Sequence, residues 1–218
     1  MSNRVLFVCA ANVCRSPFMA ATFLQEDSRG AGTDGGAGLI AVSRGISVVR
    51  EHQMCRLAAS LLDADTPGSA SAAAHVSTQI AQADLEEADL VIVASREERG
   101  LIARMRPDAR GRTFTLKEAV ALGEPPLDSA ERRRFDADDG LHLETLAAFA
   151  AFLDQRRGRI QLAPAPRARF PWSSHDDPRD VPDVHHDSTR RHTRVLKESR
   201  ELVRALHRQI RLSVGAHA

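Results

Sequence analysis

The chain has 218 residues, 43% of them hydrophobic, and a formal net charge of +1. That is apolar material for one core with an appendage, and the near-neutral balance gives no global reason to bind nucleic acid or an anionic membrane. Three cysteines, Cys9, Cys14 and Cys55, are too few for a secreted disulfide framework, and the apolar run Val5 to Val8 is far too short for a signal peptide core or a membrane span. Reduced thiols in the cytoplasm, with no targeting segment, are the expectation.

Val5-Leu6-Phe7-Val8 is a β-branched and aromatic run suited to a central parallel strand, which must be apolar on both faces. Ser16-Pro17 reads as an N-cap followed by proline at the first helical position, opening a helix from Pro17 to about Gln25. Residues 26–38 read as a loop, Leu39 to Val42 as a second strand, and Ser43-Arg44-Gly45 as the turn that closes it. Helical spacing of apolar positions predicts an amphipathic helix over Glu51 to Leu62, with Cys55 alone on it. Leu90 to Val93 and Arg112 to Leu116 read as two further strands.

Strands separated by helices predict a three-layer α/β/α fold with a mostly parallel sheet. The pattern changes over 123–180, which reads as an insertion within a single domain. Leu141 to Leu153 is helical by pattern, with Leu143, Leu146, Ala147, Ala150 and Leu153 inward, whereas Ala163 to Pro178 holds four prolines. Over 188–213, Val195, Leu196, Leu202, Val203, Leu206 and Ile210 predict a C-terminal helix packed on the sheet.

The chemistry concentrates between the first strand and the first helix. Cys9-Ala10-Ala11-Asn12-Val13-Cys14-Arg15-Ser16 sets a cysteine and an arginine six positions apart in a strand-to-helix loop. Loop amides and the unpaired N–H groups of a helix start can converge on one anion, so residues 10–16 are a candidate phosphate cradle. The same positive field favours the thiolate of Cys9, the nucleophilic form. Arg15 adds a planar fork that grips two phosphoryl oxygens. Cys14 reads equally as a redox partner for Cys9 or as a small buried residue. Cleavage of a phosphate ester also needs a proton for the departing oxygen, so a carboxylic acid must reach the same pocket.

VLFVCAANVCRSPFMAATF resembles the N-terminal signature of the low-molecular-weight protein-tyrosine phosphatases. The resemblance implies a four-stranded parallel sheet, phosphotyrosine hydrolysis through a cysteinyl-phosphate, no metal or other cofactor, and an aspartate acid near the C-terminus. It assigns Asn12, Ser16, Ser43 and His75 to a polar network supporting the loop. The acid it implies is Asp183, in Asp180-Val-Pro-Asp183-Val-His-His-Asp-Ser, with Asp177-Pro178 as a rival. This chain departs from the family pattern there: Val184 replaces proline, and His185 and His186 stand where aromatic residues would line the entrance.

Three rivals remain. Arsenate reductases of the same fold share the Cys-x5-Arg loop but use later cysteines that this chain lacks. An arginine-rich stripe from Arg190 to Arg211 allows nucleic-acid binding, although a solvated helix face explains it more simply. A loop with an altered acid segment could also only bind phosphoproteins. Metal ligation by His175-Asp176-Asp177 or by Asp183 to Asp187 is rejected on irregular spacing.

Overall fold

The computed structural model describes residues 3–30, 38–65, 74–124, 129–131, 133, 145–158 and 177–214. Strands β1 (Arg4–Cys9), β2 (Ile40–Gly45), β3 (Leu90–Val93) and β4 (Thr113–Thr115) form one parallel sheet in the order β2-β1-β3-β4. Register pairs Cys9 with Gly45 and Val8 with Val93, so the interior strand β1 delivers Cys9 to the carboxyl edge. In open parallel sheets that edge is where ligands bind.

Alternation along the strands divides the core in two. Val5, Phe7, Leu90, Ile92 and Phe114 face helices α1 (Arg15–Gly30), α5 (Leu116–Gly123), α6 (Leu146–Arg156) and α7 (Thr189–Val214). Leu6, Val8, Val91 and Val93 face α3 (Gln82–Glu87) and α4 (Arg96–Met105), through Leu85 and Ile102. Helix α2 (Arg56–Asp65) lies outside α1, where Phe18, Ala21, Ala58, Leu62 and Leu196 make a third cluster. Phe7, Phe18, Phe23, Phe114 and Phe149 are fully buried, each worth roughly 1.5–3 kcal/mol of transfer free energy.

Several boundaries differ from the sequence expectation, each for a tertiary reason. Helix α1 starts at Arg15 and runs to Gly30, because Asp27 in its last turn meets His207 and Arg211 of α7. Ser16 is therefore inside the helix rather than its cap. Strand β2 continues through Ser43, Arg44 and Gly45, since Gly45 N–H donates to Thr78 O (2.9 Å) and Gly45 O accepts from Ile80 N–H (2.9 Å). Helix α2 begins only at Arg56, because Gln53 bridges Val76 and Cys55 N–H donates to Val13 O (2.8 Å). Strand β4 stops at Thr115, whose side chain and Glu118 form a reciprocal capping box that starts α5.

Within 123–180, α6 is part of the main core: Leu146, Phe149, Ala150, Phe152 and Leu153 are buried, while Ala147 is exposed. Leu143 and the proline-rich 163–176 lie outside the described residues. Helix α7 buries Val195, Leu196, Val203, Leu206 and Ile210, as its pattern predicts. Among the described residues no helix is long and apolar enough to cross a membrane.

Candidate active site

The loop after β1 owes its shape to where its carbonyls go. Cys9 O accepts from Ile46 N–H (3.0 Å), Ala10 O from Ser47 N–H (2.9 Å) and Val13 O from Cys55 N–H (2.8 Å). Asn12 O lies 2.8 Å from His75 Nε2. In a planar trans peptide the N–H points opposite its carbonyl. Outward carbonyls at 9, 10, 12 and 13 therefore turn the amides of Ala10, Ala11, Val13 and Cys14 inward. The first amides of α1, at Arg15 and Ser16, join them. Amides turned inward in this way, next to a helix start, are the kind of arrangement that suits one tetrahedral anion.

Asn12 is the keystone. Its φ of 54° lies in the left-handed region that asparagine tolerates better than most residues. Its Nδ2 donates to Ser16 Oγ (2.9 Å) and Ser43 Oγ (2.9 Å), and its Oδ1 accepts from Thr78 N–H (2.9 Å). The structure thus brings Asn12, Ser16, Ser43 and His75 together around the loop. Ser16 Oγ is 3.1 Å from Cys9 Sγ and 3.2 Å from Arg44 O. One hydroxyl proton serves both acceptors, so it can turn to the sulfur when Cys9 is a thiolate and to Arg44 otherwise.

Arg15 is 8% exposed and anchored at three points. It donates to Asp183 Oδ2 (2.6 Å) and Val181 O (3.3 Å), and lies 3.6 Å from Glu98 Oε1. Burial pulls the guanidinium down, but Glu98, Cys9 and Asp183 outweigh it and leave Arg15 raised, hence firmly charged. Burial likewise raises the Glu98 carboxyl, with Arg15 opposing.

The two candidate acids part here. Asp183 is an exposed carboxylate in contact with Arg15 at the loop. Asp177 is bound by Arg179 (3.1 Å) and by Arg96, and Arg179 holds its carboxyl below the ordinary range. It secures the segment, together with Val181 N–H to Ala94 O (2.8 Å), Arg96 N–H to Asp180 (3.0 Å) and Thr115 Oγ1 to Arg179 O (2.8 Å).

Cys14 turns away from solvent. Its Sγ lies 2.9 Å from His192 Nε2, and it shares a hydrogen bond with Cys55. That bond, with burial, holds the Cys14 thiol up, while Cys55, accepting it and sitting at the start of α2, is lowered to about 5. Cys55 is thus not the isolated residue its predicted helix implied. His185 and His186 lie exposed with rings edge to face at 5.0 Å, whereas every phenylalanine among the described residues is buried.

Sequence reasoning missed Glu98, Thr78 and the strict need for Gly45. A Cβ on Gly45 would lie 2.8 Å from Ala10 O and 3.0 Å from Ala11 C, so β2 and the loop touch backbone to backbone. Glu98 carried one signal, the Ser95-x-x-Glu98 spacing of a helix start, with Ser95 Oγ accepting from Glu98 N–H (3.3 Å). Four arginines of the α7 stripe are tied internally, while Arg190, Arg194 and Arg208 are exposed. Arg191 meets Asp187, Arg204 meets Glu26 and Glu201, Arg211 meets Asp27, and buried Arg200 donates to Leu61 O.

Residues 4–124 match the model of the low molecular weight phosphotyrosine protein phosphatase family. A protein-arginine-phosphatase of Geobacillus stearothermophilus is 29% identical over 121 residues, which span 56% of this chain and 74% of that relative. Among solved structures, the YwlE arginine phosphatase from Geobacillus stearothermophilus superposes with a TM-score of 0.60 at 18% identity, covering 99% of this chain and 97% of the other. A low molecular weight protein tyrosine phosphatase from T. tengcongensis gives 0.60 at 18% identity, with 93% and 96% covered. At those identities the superpositions speak to the fold alone, a four-stranded parallel sheet with the loop after β1. With more than half its length matching the family model, the chain belongs to the low molecular weight phosphotyrosine protein phosphatase family.

Proposed function

We propose that the protein removes the phosphate from a phosphorylated protein side chain through a cysteinyl-phosphate on Cys9. The observation that carries this is the contact of Arg15 with Asp183 beside the loop after Cys9, whose carbonyls at 9, 10 and 13 are taken up by Ile46, Ser47 and Cys55. An incoming phosphate replaces Asp183 as the partner of Arg15, and the freed, exposed carboxylate takes up a proton from solvent, which it then delivers. The Cys9 thiolate attacks phosphorus in line, Arg15 and the amides of residues 10–16 hold the equatorial oxygens, and the bond to the leaving group breaks as Asp183 protonates that atom. Water then attacks the phosphocysteine, Asp183 takes its proton, the P–S bond breaks and the thiolate returns. No metal enters these steps.

Phosphotyrosine is the substrate that the family implies. Phosphoarginine is a second reading, supported by the name of the Geobacillus relative and by the lack of an exposed benzenoid ring among the described residues to stack on a tyrosine. The same chemistry serves it, with the proton going to a guanidine nitrogen as P–N breaks. Matched phosphotyrosine and phosphoarginine peptides, compared by kcat/KM in reductant, separate the readings. Turnover of either, lost in Cys9→Ser, supports the mechanism; turnover of neither by folded protein refutes it.

A further inference from the structure

Cys14, Cys55, His185 and His192 converge beside the phosphate loop, with one ligating atom from each within 4.8 Å of all the others. They come from four separate places: the loop itself, the residue before α2, the segment carrying Asp183, and the first turn of α7. Cys14 Sγ lies 2.9 Å from His192 Nε2. We propose that these four side chains form a zinc(II) site that fastens the acid-bearing segment to the phosphate loop.

The donor set selects the ion. Two thiolates and two imidazoles without a carboxylate suit zinc rather than magnesium or calcium. A tetrahedral zinc with bonds of about 2.3 Å to sulfur and about 2.0–2.1 Å to nitrogen separates its donors by roughly 3.3–3.8 Å. The observed spread of 4.8 Å or less needs side-chain adjustments of about an ångström. The positions are also held without the ion: Cys55 N–H donates to Val13 O (2.8 Å), and Cys14 and His192 are buried. His185 is exposed and leaves an entry path.

Four protein ligands close the coordination sphere, so this ion would be a clamp and not a hydrolytic reagent. Binding needs both sulfurs as thiolates, so any thiol proton still carried leaves to solvent. The clamp acts on chemistry by position, since Asp183 precedes His185 by two residues and Arg15 follows Cys14 directly. It would also withdraw Cys14 from disulfide exchange with Cys9 or Cys55. The site is independent of which phosphorylated residue is the substrate.

The test uses the full chain, reduced, stripped with chelator and returned to buffer. Zinc(II) is titrated against a chromophoric chelator and cobalt(II) is followed by absorption. The expected result is one equivalent, with thiolate-to-cobalt charge transfer and the intense visible bands of a tetrahedral centre. Outer-shell partners alone are worth ten- to a hundredfold in metal affinity, so Cys55→Ser and His185→Ala should each weaken binding by more than about a hundredfold. His185 is exposed, which keeps His185→Ala foldable and the test decisive. Cys9→Ser should keep the full equivalent, and zinc should raise the melting temperature of wild type but not of His185→Ala. No uptake by the reduced wild type, equal uptake by both ligand variants, or loss of uptake in Cys9→Ser would each overturn the site. The last would place the ion on the nucleophile. Because the readout is ion binding, its failure leaves the phosphatase proposal standing, and an inactive protein that still binds zinc leaves this one standing.

Discussion

The phosphate loop and the 177–188 segment supply the two halves of the candidate site in opposite ways. The loop is contiguous: within eight residues it holds the nucleophile and the arginine between a strand and a helix start, around one asparagine at φ 54°, with Ile46, Ser47, Cys55, His75 and Thr78 holding it from outside. The acid segment has no regular structure and owes its place to distant partners, Ala94 O, Arg96, Thr115 and Arg15. In the loop distant partners only shape chemistry that is already contiguous in the chain, whereas in the acid segment the ties also bring the chemistry to the site.

Substitutions should expose that asymmetry, most strongly in the loop. Cys9→Ser should lower kcat by at least about 10^4-fold with the fold intact, read by steady-state turnover beside circular dichroism. Arg15→Lys keeps charge but loses the fork, and a loss of about 10^2–10^3-fold in kcat/KM is expected. Gly45→Ala forces apart two backbones that a Cβ would meet at 2.8 Å. A displacement near an ångström can cost about a hundredfold, and kcat should fall accordingly while β1 and β3 remain paired.

In the acid segment, Asp183→Asn should slow turnover by about 10^2-fold or more for poor leaving groups and far less for nitrophenyl phosphate. Asp177→Asn removes only partly exposed ion pairs and should stay within about fivefold. A larger effect at Asp177 would reverse the assignment of the acid.

Glu98 gives the smallest and most pH-specific effect. Its carboxyl is raised by burial, so the folded protein holds that proton more tightly than the unfolded chain. This group's contribution to stability therefore falls as pH rises from the ordinary glutamate range through the raised value, and is level outside that window. Melting curves from about pH 4 to pH 8 should show this fall in wild type and its absence in Glu98→Gln. Parallel curves would mean that Glu98 titrates normally.

How much was legible follows the same division. The buried strands, the position of the Cys9 to Ser16 loop between strand and helix, and the apolar face of α7 are short-range patterns, and the structure places each where its pattern predicts. Boundaries failed where a distant segment won: Asp27 extends α1, Thr78 and Ile80 hold Gly45 in β2, and the contact of Cys55 with Val13 delays α2. Asp183 was reached by resemblance, and nothing local marks Glu98 as a neighbour of Arg15, 83 positions away in the chain. The Cys14, Cys55, His185 and His192 cluster was invisible for the same reason. Its members share no spacing, and only His185 lies in a stretch, Asp183 to Asp187, weighed for ligands on spacing alone.

The most direct test of the account is to trap the intermediate. Asp183→Asn mixed with nitrophenyl phosphate, whose leaving group needs little protonation, is acid-quenched within the first turnover and digested for mass spectrometry. The account predicts phosphate on Cys9, accumulating because the base that activates water is gone, and none in Cys9→Ser. Nitrophenol release with no phosphate on Cys9, or with phosphate on another residue, would contradict it.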